Sequence, residues 1–464
     1  MKKSLSKDSQ RLYLGVDIGG TKMQACLVEE CGTVLERKKA STPRTGSADE
    51  VLATLDQVIA DVLEVIKNKK NARRRLAAMG VAVPGVVEPD SGRVIVTPNM
   101  NLTGIALGDH LEQQFALPVA IGNDCNLGAL GEKWLGSARK ARSVVAILVG
   151  TGIGGGFVRK GKLWRGAREA ACELGHMVMQ IGGPPCGCGN NGCLEALASR
   201  SAIERQIREA AAAGRQTMLT DLCQGDLSVI RSSLLRSAVE AGDALATEVL
   251  RKAAEVLGYA CLTVRHLIDP EVIVLGGGVM EACGDFIFPI VEQIVASDRL
   301  PGAREGGRVL LSALGDDAVV LGAVAMARRI VGRNPFKRHL AVLPQYPKLQ
   351  YKKFGQIAAG GKRYQCDIHV LVDGKVKGRD KQLAKSLHGS SHIVGPKELE
   401  ELCRGGPEVL FVGAGAEGKL ELTEEARKFL DRRAIELTVL PTAEAVEAFN
   451  RSPTRKTALI HVTC

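Results

Sequence analysis

The chain has 464 residues, of which 45% are hydrophobic and 24% charged. This length exceeds the ~250–300 residues at which a single hydrophobic core stops growing. No stretch reaches the ~18 apolar residues of a membrane-spanning helix, and no apolar segment follows the basic N-terminus, which argues against membrane insertion and secretion. Most of the net charge of +11 is local, since residues 331–388 hold thirteen Lys and Arg against three Asp. We therefore expect at least two soluble units in the cytoplasm.

Short β-rich runs alternate with longer helical patterns from Leu12 to Ile330, which is typical of an α/β unit. The predicted strands are 12–18, 77–85, 144–150 and 271–279. The predicted helices are 48–68, 245–268 and 319–331.

Prolines and clustered basic residues after Ile330 indicate a linker, and a second α/β pattern follows them. The predicted division is a flexible N-terminus (1–11), a first unit (12–331, with lobes 12–122 plus 313–331 and 123–312), a linker (332–351) and a second unit (352–464).

Three glycine-rich segments follow predicted strands in the first unit. Residues 17–22 and 150–156 offer converging backbone N–H groups with Thr or Lys side chains, a composition suited to an anion. The second segment fits G-x-G-x-x-G, but residues 157–162 are predicted as a strand and hairpin turn instead of the helix a dinucleotide fingerprint requires. Each segment alone also fits a tight hairpin. Together with the third, Gly276–Gly278, they favour phosphate binding.

A cluster of metal-ligand residues lies downstream, where Cys186, Cys188 and Cys193 follow His176. Three thiolates and one imidazole form the tetrahedral set that zinc prefers, and a site with four protein ligands is structural. Such an ion would hold the loop carrying Glu173 and Glu195, whose carboxylates can accept hydrogen bonds from hydroxyl groups. The alternative is three buried thiols without a metal.

The pair Asn123–Asp124 follows a predicted strand. A carboxylate at a strand end can take the proton of a hydroxyl group whose oxygen attacks a γ-phosphate. The alternative for this pair alone is a helix cap or a turn.

These segments resemble the ROK family of bacterial sugar kinases and repressors. The resemblance covers about Leu12 to Ile330 and rests on DIGGTK, Pro84-Gly85, Pro98-Asn99, GNDCN, GTGIGGG, ELGH and CGCGNNGCLE. It implies an actin-like (ribonuclease H-like) two-lobed ATPase fold, ATP and Mg²⁺ as cofactors, a structural Zn²⁺ and a homodimer.

The resemblance also implies roles for single residues. Asp124 would be the catalytic base, and Asp17 the carboxylate nearest Mg²⁺. Hexose contacts would come from Gly85, Asn99, Asn123, Glu173, His176 and Glu195. ATP contacts would come from Asp17, Gly19, Gly20, Thr21, Lys22, Gly150, Thr151, Gly152, Gly276, Gly277 and Gly278. The metal ligands would be His176, Cys186, Cys188 and Cys193.

One segment departs from the family pattern. Kinases of this family that act on glucose usually carry P-N-x-x-G-W, whereas residues 98–105 contain no aromatic residue. The segment therefore leaves the identity of the sugar open, and the resemblance implies phosphorylation of a hexose (glucose, a related sugar or an N-acetylated one), which we expect at its 6-hydroxyl. A sugar-sensing protein without catalysis, acting through the second unit, is the alternative. A DNA-binding repressor is not expected, because only about ten residues precede Leu12.

The second unit resembles the small Mth938-like family, on FGQIAAGGKRYQCDI, EVLFVGAGAEGKLELTEEA, LPTAEAVEAFN and the final HVTC. This resemblance implies a fold but no activity. Residues 413–418 meet G-x-G-x-x-G, yet four residues separate them from the next helical pattern, so we expect a turn or anion nest. The polar candidates for a site are Asp367, His369, Thr442 and His461.

The basic stretch 333–385 contains interleaved aromatic residues, a mixture that can stack on single-stranded nucleic acid. A solvated linker and a charged domain face are the favoured explanation, and we expect no nucleic-acid partner. Docking of the second unit to a partner or to the first unit is a further alternative.

Overall fold

The computed structural model describes residues 11–43, 45–67, 75–98, 100–303 and 306–463, without the side chain of Arg338. The predicted flexible N-terminus therefore lies outside the described residues, except for Arg11. Of the helices described, none combines the length and apolarity that a bilayer crossing requires.

The first lobe is built on a five-stranded sheet in the order β3-β2-β1-β4-β7. The strands β1, β4 and β7 run parallel, whereas β2 and β3 are antiparallel neighbours on one side. The elements of this lobe are β1 (Leu12–Ile18), β2 (Lys22–Glu29), β3 (Val34–Ser41), α1 (Ala48–Lys67), β4 (Leu76–Val83), β5 (Val86–Glu88), β6 (Arg93–Val96), α2 (Leu107–Phe115) and β7 (Val119–Asn123).

The second lobe repeats this arrangement in the order β10-β9-β8-β11-β12, again with three parallel strands and an antiparallel extension. The duplicated sheet confirms the predicted actin-like fold. The elements of this lobe are α3 (Asp124–Trp134), β8 (Ser143–Val149), β9 (Ile153–Arg159), β10 (Lys162–Leu163), α4 (Leu194–Ala198), α5 (Arg200–Ala212), α6 (Leu219–Leu222), α7 (Ser232–Glu240), α8 (Ala244–Ile268), β11 (Val272–Gly276), α9 (Gly278–Ala296) and β12 (Arg308–Leu311).

Two helices cross where the lobes meet, α3 and α10 (Ala318–Ile330). Glycines allow their backbones to touch. A Cβ atom on Gly322 would lie 1.7 Å from the carbonyl oxygen of Leu127, and one on Gly131 would lie 2.0 Å from that of Ala318. Real Cβ atoms do not come so close to backbone oxygen, so these positions require glycine.

We expect Gly322→Ala to lower the free energy of unfolding by about 3 kcal/mol, because the added methyl group forces the two helices apart. Urea denaturation of the full chain measures this. The matched control is Gly284→Ala in α9, where a Cβ would meet only Leu311 side-chain atoms at 3.6 Å or more. That variant should be neutral or slightly stabilised, and equal effects of the two changes would contradict the packing argument.

The C-terminal unit contains a five-stranded sheet in the order β17-β16-β22-β19-β21. Its first strand begins at Leu349, inside the predicted linker, because buried Leu349 pairs with β14. The helix Lys381–His388 was not predicted from the sequence pattern. The elements are β13 (Leu349–Lys353), β14 (Gln356–Ala359), β15 (Lys362–Tyr364), β16 (Ile368–Val370), β17 (Val376–Gly378), α11 (Lys381–His388), β18 (Ile393–Val394), α12 (Pro396–Leu402), β19 (Val409–Ala414), β20 (Glu421–Leu422), α13 (Glu424–Asp431), β21 (Glu436–Leu440), α14 (Thr442–Arg451) and β22 (Lys456–His461).

Candidate active site

The carboxylate of Asp124 stands at the junction of β7 and α3. Asn123 caps the helix, since its side-chain oxygen accepts a hydrogen bond from the Asn126 N–H at 3.0 Å. The Asn123 amide donates to the Gly85 carbonyl at 3.0 Å. The Asp124 carboxylate accepts from the Cys125 N–H at 2.8 Å. The predicted alternative of a helix cap is therefore correct for Asn123, and the cap leaves Asp124 in the first turn.

The backbone of Gly85 lies close to that of Val96 at the end of β6. Its φ of +92° favours glycine, and a Cβ would lie 2.1 Å from the carbonyl oxygen of Val96. The turn that carries Gly85 therefore has one conformation beside Asn123. Asn99, which was predicted as a hexose contact, lies outside the described residues.

Two carboxylates influence each other at this junction. Burial, with the negative charge of Asp124 nearby, raises the pKa of Asp17 to about 6, against the hydrogen bond from Gln24 and the charge of Lys22. Burial and the charge of Glu173 also raise the pKa of Asp124, against the Cys125 N–H. A cation at this point would stabilise both carboxylates.

We expect Asp17→Asn to stabilise the ligand-free protein by about 1–3 kcal/mol at pH 8. A folded-state pKa above the ordinary value of 3.8 means that the charged Asp17 costs stability above about pH 6. The cost disappears below pH 4, where Asp17 is protonated in both the folded and the unfolded state. Thermal unfolding of both proteins at pH 4 and pH 8 measures this. A stabilisation independent of pH would contradict the electrostatic cause.

The first two glycine-rich segments form tight turns. The Gly19 N–H donates to the Lys22 carbonyl at 3.0 Å, which closes the turn between β1 and β2. The Gly150 N–H donates in the same way to the Gly152 carbonyl at 2.9 Å, between β8 and β9. β9 begins directly after Gly152, so a strand follows the second segment instead of the helix that a dinucleotide fingerprint requires. Arg200 donates to the Thr151 hydroxyl at 2.8 Å.

The third glycine-rich segment, at the start of α9, lies near the first and second segments. Gly277 precedes α9 with a φ of +88°, and a Cβ there would lie 2.6 Å from the Val149 carbonyl oxygen, beside the second turn. From the first turn, Lys22 extends to within 3.5 Å of Asp316. The charges of Asp316 and Lys22 both act on Glu281 in the first turn of α9. The three segments therefore converge on the N-terminus of α9, where partial positive charge favours an anion.

The four predicted metal ligands lie together. Their ligand atoms are all within 4.8 Å of one another. The Cys188 and Cys193 sulfur atoms are 3.8 Å apart, and Nδ1 of His176 is 3.7 Å from the Cys186 sulfur. A tetrahedron with Zn–S bonds of about 2.3 Å has S–S edges of about 3.8 Å. The donor set and its spacing therefore fit a zinc ion.

Glutamates connect the metal-ligand loop to the rest of the site. The Glu195 carboxylate accepts from the Ile153 N–H at 2.8 Å, next to the second glycine turn. Desolvation raises the pKa of Glu173, the charge of His176 lowers it, and that of Glu195 raises it. The predicted groups Glu173, His176 and Glu195 are thus neighbours, and the charge of Glu173 also acts on Asp124.

A family model described as the ROK family matches residues 13–330. The chain belongs to the ROK family. Within this family, a glucokinase of Halalkalibacterium halodurans is 34% identical over 316 residues, which cover 68% of this chain and 94% of that protein. A putative xylose repressor of Caldicellulosiruptor sp. is 30% identical over 321 residues, which cover 68% of this chain and 77% of the repressor.

The structure of a ROK family glucokinase from Streptomyces griseus, in complex with glucose and AMPPNP, is similar to the ROK domain. It has a TM-score of 0.61 and 31% identity, and covers 68% of this chain and 99% of that one. Residues 350–459 match a second family, described as a protein of unknown function (DUF498/DUF598), which is the Mth938-like family. Both predicted resemblances are confirmed.

Glu132 of the ROK domain, which is fully buried on α3, was not among the predicted residues. Its carboxylate accepts from the Ser312 hydroxyl at 2.6 Å and from the Ser137 N–H at 2.9 Å. A further bond from the Leu314 N–H at 3.2 Å fixes the loop after β12. No local signal could reveal this role, because Glu132 and Ser312 are 180 residues apart.

The polar candidates of the C-terminal domain fall into one buried network. Asp367 accepts from His461 at 2.7 Å and from Lys381 at 3.0 Å. Burial opposes ionisation, but these partners hold the pKa of Asp367 down at about 2. His369 bonds to Glu398 at 2.9 Å. The Thr442 hydroxyl donates to the His461 carbonyl and accepts from the Gly415 N–H at 3.0 Å. Each candidate is buried, so the network holds the domain together.

Proposed function

We propose that the ROK domain transfers the γ-phosphoryl group of ATP to a hexose at the 6-hydroxyl, with Asp124 as general base. The observation that carries this is the place of Asp124 at the junction of β7 and α3, in a helix start that Asn123 caps. Burial and Glu173 raise the pKa of Asp124 there, and its own charge acts on Asp17. Glucokinases among the relatives, and the bound glucose and AMPPNP in the Streptomyces griseus structure, support both substrates.

In the proposed reaction, Asp124 accepts the hydroxyl proton while the sugar oxygen attacks the γ-phosphorus in line. The new bond joins the sugar oxygen to phosphorus, and the bond from phosphorus to the β–γ bridging oxygen breaks, which releases ADP. A raised pKa suits this role, because a stronger base accepts a proton more readily near neutral pH.

The phosphates of ATP would bind where the three glycine-rich segments converge. Gly19 to Lys22, Gly150 to Gly152 and Gly276 to Gly278 supply backbone N–H groups and the Lys22 ammonium. Asp17 would hold Mg²⁺, whose charge offsets that of the phosphates during transfer. The high pKa of Asp17 without a cation agrees with this assignment.

The hexose would lie against Asn123, Glu173, His176 and Glu195, the residues that the family resemblance implies. The Gly85 turn, joined to Asn123, would form the opposite wall, with Asn99 as a further predicted contact. Carboxylates and amides arranged in this way accept and donate hydrogen bonds to ring hydroxyls.

The ligands His176, Cys186, Cys188 and Cys193 would hold a structural Zn²⁺. When bound, the ion supplies four bonds that order the loop between α4 and the short 3₁₀ helix Leu174–His176. Coordination through Nδ1 leaves Nε2 of His176 for the sugar.

The second candidate function is sugar sensing without catalysis, which the repressor relatives favour. A panel of hexoses and N-acetylated amino sugars with Mg-ATP, followed by ADP release, separates the two. We expect turnover on at least one sugar. Sugar binding without ADP release from any of them would select the sensor. The homodimer and the absence of a nucleic-acid partner stay predictions.

A further inference from the structure

A cavity of about 640 Å³ lies between the ROK domain and the C-terminal domain. Its ROK wall includes Glu281 and Gly284 of α9 and the loop 312–317. Its other wall is formed by the C-terminal domain, from α12 and the residues just after it and from α13. Neither domain alone encloses this space.

The cavity lies beside the point where the glycine-rich segments converge. Glu281 lies one turn after Gly277 and Gly278 on α9. Asp316, which also lines the cavity, is 3.5 Å from Lys22 of the first segment. A nucleotide whose phosphates bind these segments would therefore direct its ribose and base into the cavity.

Gly284 marks a place for a close approach inside α9. Glycine in a helix interior costs roughly 0.5–1 kcal/mol relative to alanine. A Cβ on Gly284 would meet no backbone, only Leu311 side-chain atoms at 3.6 Å and 3.7 Å. Packing of the protein therefore does not require glycine there, and the missing side chain leaves the helix surface open toward the cavity.

The C-terminal wall is held firmly in place. The Leu311 N–H donates to the Arg432 carbonyl at 2.7 Å. This hydrogen bond joins the end of β12 to the C-terminal domain. Arg455, 3% exposed, donates to the Cys31 carbonyl at 2.9 Å. A Cβ on Gly406 would lie 2.3 Å from the Leu135 carbonyl oxygen. These contacts reach both lobes, so the wall is part of the folded chain.

The groups on this wall suit a nucleoside. The Arg433 guanidinium lies 3.9 Å over the ring of Phe429, a stacked pair with a flat face beside the cavity. Arginine planes and aromatic rings stack on nucleobases. Arg404 is exposed at the cavity and makes no side-chain hydrogen bond or ion pair with the residues described. It can donate to ribose oxygens.

We propose that the C-terminal domain completes the nucleotide pocket of the ROK domain. Arg404, Arg433 and Phe429 enclose the ribose and base of the nucleotide, whose phosphates the glycine-rich segments hold. The proposal rests on the ATP site proposed above and gives the C-terminal domain a role in nucleotide binding.

Titration calorimetry of the full chain with MgADP tests this without any sugar. We expect Arg404→Ala and Arg433→Ala each to weaken MgADP binding about tenfold, the loss of one charge-assisted contact. Binding of tripolyphosphate, which has no base or ribose, should be unchanged. Arg427→Ala is the matched control, an exposed arginine of α13 that does not line the cavity.

Hydrogen exchange gives a second measurement that needs no variant. MgADP should protect residues 396–404, and tripolyphosphate should not. Unchanged MgADP affinity in both arginine variants, or equal protection by both ligands, would overturn the proposal. MgADP binding with the expected losses, but no ADP release with any sugar, would remove the kinase assignment and leave this proposal standing.

Discussion

Replacing Asp124 by Asn is expected to reduce turnover by about 10³-fold while sugar and ATP still bind. Asparagine has the same shape and can still accept the hydrogen bond from the Cys125 N–H, so α3 keeps its first turn. It cannot take up the proton of the attacking hydroxyl. The turnover number and the dissociation constants of the variant, measured on the best sugar of the panel, test this.

The matched control is Asp109→Asn, an exposed aspartate in the first turn of α2, which should keep full turnover. The pH dependence gives an independent check. Burial and the charge of Glu173 raise the pKa of Asp124. As the pH decreases, the wild-type rate should therefore begin to fall at a higher pH than it would with an exposed aspartate as the base. The residual rate of Asp124→Asn should not show this fall in rate at low pH. Near-normal turnover in Asp124→Asn would assign the base elsewhere.

Replacing Cys193 by Ser is expected to remove the bound metal and to lower the free energy of unfolding by at least about 4 kcal/mol. Cys193 is fully buried, and its sulfur lies 3.8 Å from that of Cys188. Loss of this ligand releases the loop that positions His176 and Glu195, so sugar affinity should fall with stability. Metal analysis, thermal unfolding and sugar titration measure the three effects.

Cys366→Ser is the control for this change, because Cys366 is an exposed thiol of the C-terminal domain. It should keep both the metal and the melting temperature. A chelator should reproduce the Cys193→Ser result in the wild-type protein but have no further effect on the variant. A wild-type protein that unfolds at the same temperature with and without chelator would exclude a structural metal.

The sequence by itself determined the elements and the composition of the site. Strands such as Leu12–Ile18 are continuous apolar runs, and the helix Ala48–Lys67 has its apolar residues at helical spacing, so local periodicity predicts both. The metal ligands could also be predicted, because three of the four lie within eight residues and a short loop brings them together. The place of Asp124 after a strand fitted a cap or a base, and its role as the base was implied by the resemblance to the ROK family and stays a prediction.

Only the tertiary structure decided how these parts act on one another. Asp17 lies on β1 and Asp124 directly follows β7, and the effect of Asp124 on the pKa of Asp17 depends on the parallel pairing of β1, β4 and β7. Glu132 reaches a loop 180 residues away. The C-terminal domain was predicted from its own pattern, but its place beside α9 was not. Contacts between distant segments leave no periodic signal in either segment, so burial and docking appear only once the chain has folded.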